Sequence, residues 1–149
     1  MQRRRGCALA LLFAMALSLA ACAKTSHDED TIDEPAKVEK IQGTELNRLV
    51  LEESAVKRLG ITTANVQELA PPVPGQTVVP YSALIYDANG AASVYTNTEP
   101  RTYVRAPVTV AIVLDNSAVL SQGPPLGTPI VTVGAAELFG IDAGIGGNE

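Results

Sequence analysis

Tryptophan is absent from this chain of 149 residues, phenylalanine occurs twice and tyrosine four times. A core with so few rings must be built from Val, Ile, Leu and Ala, which suits one modest β-rich domain. Histidine occurs once, as His27. A nucleophile at Ser82, Ser93, Ser117 or Ser121 would need that single imidazole brought across the chain, so an enzyme is not expected. Paired carboxylates offer little more, because Asp87, Asp115 and Asp142 fall where turn chemistry already accounts for them. The glycines of 144–147 stand too close to the C-terminus to cradle a phosphate before a helix. Bases are outnumbered, 11 Lys and Arg against 16 Asp and Glu for a net charge of −5. Nucleic acid, whose binding rests on cationic contacts to phosphate, is not an expected partner. No apolar run reaches the roughly 18 to 20 residues that span a bilayer.

What is present begins at the N-terminus, where Arg3, Arg4 and Arg5 precede an apolar run over 7–17. These are the n-region and h-region of a signal peptide. Leu19-Ala20-Ala21-Cys22 follows directly and resembles the lipobox of bacterial lipoproteins, in which small residues admit the peptidase and the cysteine sulfur receives a diacylglycerol. The resemblance implies cleavage after Ala21 and an acylated Cys22. Three acyl chains, at about 0.8 kcal/mol per buried CH2, would make a permanent anchor. Such proteins retained at the inner membrane commonly carry Asp after the cysteine; Ala23 stands here, which points to the outer membrane. The expected location is the periplasm, lipid-anchored to the envelope. Processing would remove three arginines, leaving 8 bases against 16 acids and a net charge of −8. It would also remove Cys7, so no disulfide is possible within one mature chain.

Residues 22–45 carry seven acids and three lysines among few apolar residues, the composition of a flexible, disordered tether. A short apolar strand over 46–51 leads to Glu52-Glu53-Ser54-Ala55-Val56-Lys57-Arg58-Leu59, with acids early, bases late and Gly60 beyond. That order predicts a short helix with dipole-matched ends and a glycine stop. A strand follows over 61–69, and the three prolines of 70–76 make that stretch a loop or crossover. From Thr77 onward short β-type runs alternate with turn signals. Strands are predicted over 77–79, 83–86, 92–96, 103–114, 118–120 and 129–133. Asn89-Gly90 and Asp115-Asn116 supply tight turns, and Pro107 marks an edge or bulge. Residues 134–139 could form one helical turn, with a loose glycine-rich tail after them. Tyr81, Tyr86, Tyr95 and Tyr103 are expected to pack the core with hydroxyls at its rim, and Arg101 and Arg105 to lie on a solvated face. The fold class is mainly β: a small barrel or sandwich with one short helix over 46–145, after the signal peptide of 1–21 and the tether of 22–45, with 146–149 as a loose tail.

The order strand, helix ending Lys57-Arg58-Leu59-Gly60-Ile61, strand, then Val79-Pro80-Tyr81-Ser82-Ala83-Leu84-Ile85-Tyr86 resembles the periplasmic adaptor subunits (membrane fusion proteins, HlyD-like) of RND-type efflux systems. The turn at Gly90, the strands near 93–96 and 104–113, and the stretch 123–138 follow the pattern of that family's membrane-proximal domain. The resemblance spans about 46–145. It implies a role in export through contacts with an RND transporter and an outer-membrane channel, with no cofactor and no catalysis. The α-helical hairpin, lipoyl-like domain and β-barrel that adaptors carry between the two parts joined here by 70–76 are missing. Thr128 stands where the family has Asp, and Pro124-Pro125 interrupts the preceding pattern.

The metal-ligand types cluster once, in His27-Asp28-Glu29-Asp30. One imidazole among carboxylates could hold a divalent ion weakly, with His27, Asp28 and Asp30 as candidate ligands. Their spacing defines no geometry, and both methionines leave with the signal, so a solvated acidic tether is the expected outcome. The competing functional expectations are an envelope-anchored binding module unrelated to a pump, a weak metal-binding accessory protein, and a shortened relic of an adaptor.

Overall fold

The computed structural model describes residues 35–145, which lie within one compact unit. The stretch 1–21 expected to be a signal peptide, with Cys22, His27, Asp28 and Asp30, lies outside the described residues. The described part is mainly β, built of two sheets and two helices without a closed barrel.

The first hairpin joins β1 (Ala36–Lys40) and β2 (Asn47–Leu51). Helix α1 (Glu53–Leu59) carries Glu53 in its first turn and Lys57 and Arg58 in its last, the polarity its dipole favours. Lys57 Nζ lies 2.6 Å from Glu53 Oε1, one helical turn away. Gly60, at φ 61°, ends the helix in the left-handed conformation, which glycine reaches without steric cost. β3 (Thr62–Asn65) continues through buried Val66 into β4 (Gln67–Glu68). The link 70–76 then leads to β5 (Thr77–Pro80), a 3-10 turn (Tyr81–Ala83) and β6 (Ile85–Tyr86). The carboxylate of Asp87 accepts the backbone N–H groups of Asn89 and Ala91, and Gly90 sits at φ 80°. This is the tight turn expected at Asn89-Gly90. The long hairpin β7 (Ala92–Glu99) and β8 (Thr102–Pro107) precedes β9 (Thr109–Leu114), β10 (Ser117–Gln122), β11 (Pro129–Val133) and α2 (Ala135–Asp142).

The larger sheet runs β1-β2-β8-β7-β11-β3, with β6 also on β7, and the smaller runs β4-β5-β10-β9. Two segments pass from one sheet into the other. Val66 connects β3 to β4 and Val108 connects β8 to β9, and both side chains are buried at the corner they turn. Pro107 closes β8 at that bend, where a missing N–H costs no ladder bond.

The larger sheet is covered on both faces. Val94 and Ile130 point to the smaller sheet, joining Val79, Ala118 and Leu120. Their sequence neighbours Tyr95 and Val131 point the other way, to a second core with Leu49, Leu51, Tyr103, Ala55 of α1 and Leu138 of α2. The period of two along each strand therefore divides one sheet between two cores. Each fully buried aliphatic side chain contributes about 1.5 to 3 kcal/mol.

Several expectations need adjustment. β1 lies within the stretch assigned to the tether, since Ala36 and Leu51 are partners in its ladder with β2. The C-terminal helix covers Ala135–Asp142 and includes Gly140, two turns rather than one. Of the four tyrosines, Tyr95 and Tyr103 are buried while Tyr81 and Tyr86 are exposed.

Candidate functional site

Three features of the described residues stand out from ordinary packing. The first is a polar row across the larger sheet. β2 pairs with β8 and β8 with β7 so that Asn47, Arg105 and Tyr95 come side by side on the helix-covered face. Asp142, in the last turn of α2, closes over this row. Its Oδ1 accepts from Asn47 Nδ2 at 2.8 Å and its Oδ2 from the Tyr95 hydroxyl at 2.8 Å. Arg105 Nε lies 3.0 Å from the same Oδ2, yet its N–H makes no hydrogen bond. The contact is one of charge rather than of hydrogen-bond geometry. The guanidinium also stands over the Phe139 ring, 5.9 Å from its centroid, within cation–π range.

The environment decides what this row can do. The side chain of Asp142 is 2% exposed and that of Arg105 28%, and Tyr95 has no exposed surface. Burial first, then the hydrogen bond to Asp142, holds the Tyr95 hydroxyl far above the ordinary tyrosine range; burial also raises Tyr103. With both oxygens engaged, the Asp142 carboxylate fastens the end of α2 to the sheet. An acid at a helix C-terminus opposes the dipole, and the Arg105 charge offsets that cost. The expectation that Asp142 serves a turn and Arg105 a solvated face is corrected by this pairing.

The second feature is a cleft of about 450 Å³ between the proline-rich link 70–76 and the loop 123–127. Pro72, Val73, Pro74, Pro124 and Leu126 line it, with Glu68 as its charged member. It is the meeting place of the two loops that most interrupt the β pattern.

The third is β9 with its hairpin partner. Ile112, Val113 and Leu114 are 51%, 42% and 52% exposed, and β9 is one of the two edges of the smaller sheet. Asp115, at φ 50°, turns the chain into β10, with Leu114 paired to Ser117. The predicted strand over 103–114 gave no sign of this exposure, because an apolar run looks the same in a core and at an edge.

Among the described residues no group of three His, Cys, Asp or Glu is placed to hold a metal ion, and no helix is long and apolar enough to cross a membrane. Of the serines, Ser93 is buried in β7, and Ser117 and Ser121 lie on β10. Ser82 belongs to the 3-10 turn. Arg101 occupies the β7–β8 turn at φ 58°, 3.5 Å from Glu52, an exposed pair that contributes little. No family model, curated protein or solved structure matches the chain.

Proposed function

We propose that the chain is a non-enzymatic periplasmic lipoprotein, anchored through Cys22, that supports export as the membrane-proximal part of an RND efflux adaptor does, by docking on a transporter. The reading rests on the lipobox, on the order of motifs from Lys57 to Leu138, and on one structural observation. The segments on either side of the 70–76 link build common sheets: β3 pairs with β11, β4 with β5, and β2 with β8. A domain made jointly by an early and a late part of the chain is what the adaptor resemblance implies, with the intervening domains replaced by a seven-residue link.

The mechanism in this reading is contact rather than chemistry. In this reading the acidic stretch after Cys22 would provide reach from the membrane, and the β domain offers the uncharged strand β9 to a partner. Co-purification of the tagged, acylated chain from solubilised envelopes tests it. An RND transporter is expected in the eluate of the wild type and is expected to fall away with Cys22→Ala. A transporter-free eluate from a folded, acylated chain would count against the proposal.

A further inference from the structure

Besides β9, the described strands with an unpaired side are β1, β3, β4 and the two-residue β6, and each of these is guarded. β1 carries Lys37, Glu39 and Lys40, β3 is four residues long with no large apolar side chain, and β4 has two residues. β9 differs from all of them. Its six residues, Thr-Val-Ala-Ile-Val-Leu, include no charge and no proline. Ile112, Val113 and Leu114 are strongly exposed, so this end of the edge is open to solvent, while Val110 packs against the core and the ladder with β10 shifts register opposite Val119–Leu120. A free, uncharged, apolar edge of this length is a template for another strand.

The chain's own charge indicates which strand. The molecule is acidic, with a net charge of −5, so two copies repel across most of their surface. Over 106–136, however, the sole charged residue is Asp115, and it sits at the hairpin tip beyond β9. Antiparallel pairing about a two-fold axis sets Thr109 of one copy opposite Leu114 of the other. Asp115 of each copy then lies near the far end of the joint, roughly 23 Å apart at about 3.3 Å per residue. That exceeds the screening length of about 8 Å at physiological salt. Parallel pairing would set the two aspartates side by side. Each position of β9 meets an apolar residue or threonine, which is the self-complementarity a two-fold interface requires.

We propose that a second copy of this chain pairs antiparallel along Thr109–Leu114, joining two four-stranded sheets into one of eight strands. The pairing satisfies the outward backbone groups of β9 and shields Ile112, Val113 and Leu114 from water.

Sedimentation equilibrium of the full chain in density-matched detergent, over a range of protein concentrations, tests this. The wild type is expected to form dimers, and Ile112→Lys to weaken them at least tenfold while leaving the far-ultraviolet circular-dichroism spectrum of the folded chain unchanged. Leu126→Lys, at a site 59% exposed on the loop 123–127, is expected to leave dimerisation intact. Amide exchange in the wild type provides a readout free of substitutions: protection over 109–114 should rise with protein concentration. A wild type that stays monomeric, exchange there that is independent of concentration, or dimers indifferent to Ile112→Lys would each overturn the proposal. So would a monomer whose β9 captures a strand from a different protein.

Discussion

Asp142 closes a row of three side chains drawn from three strands, so its loss is felt at several atoms at once. Asp142→Ala leaves the Tyr95 hydroxyl and the Asn47 amide without their acceptor and Arg105 without its counter-charge. Partial hydration of Arg105 softens the penalty, and a destabilisation of about 2 to 4 kcal/mol is expected in urea unfolding. The buried tyrosines make a second prediction, in pH. Tyr95 and Tyr103 have raised pKa values in the fold, whereas unfolded tyrosine titrates near 10. The folded state thus holds protons that the unfolded chain has released. Stability from this source is full below about pH 10 and is lost as pH rises further. Thermal melts of the wild type should fall steeply above that point, and those of Tyr95→Phe less steeply, from a start about 1 kcal/mol lower for the missing hydrogen bond. A wild-type melt unaffected by alkali would contradict this assignment. The sequence carried a signal for Arg105 that the expected solvated face passed over. Arg105 stands two residues from Tyr103, so a strand that buries one turns the other to the same face, and an inward arginine calls for a partner. Asp142 was not legible, since nothing in a run of small residues and glycines says that the helix continues to it.

At the scale of elements, local chemistry and long-range pairing divide what could be read. α1, the Asn89-Gly90 turn and the Asp115-Asn116 turn follow from caps and turn residues within a few positions of each other, and each was predictable. β1 was not: its two lysines and one glutamate among five residues read as solvated chain, and it becomes a strand by pairing with β2 at the sheet edge. Helix α2 depends on Gly134, which holds φ at 89° with space for no side chain; a Cβ there would meet Ile61 Cγ1 at 2.8 Å. Gly134→Ala combines backbone strain with that clash and is expected to cost about 1 to 3 kcal/mol. The loss should appear first as faster amide exchange in Ala135–Asp142, because the helix start is the part displaced. Exchange in that helix no faster than in the wild type would show that the glycine is not needed.

For the molecule as a whole, composition set the material of the core and alternation set its faces. A chain without tryptophan and with few phenylalanines builds two adjacent aliphatic cores on one shared sheet, with Tyr95 and Tyr103 as the large buried rings. The choice of sandwich over barrel was beyond the sequence, since it turns on the two bends at Val66 and Val108, where ordinary valines pass from one sheet to the other. Surface exposure was similarly concealed: the exposed apolar strand β9 is written in the same residues as a buried one. The central claim remains that the chain is held at the envelope by Cys22 and acts through contacts with a transporter. Crosslinking in native envelopes, followed by pull-down of the acylated chain beside a Cys22→Ala control, tests this most directly. The account predicts an RND pump or its outer-membrane channel crosslinked to the wild type and depleted in the control; recovery of neither, from a chain verified as folded and acylated, would contradict it.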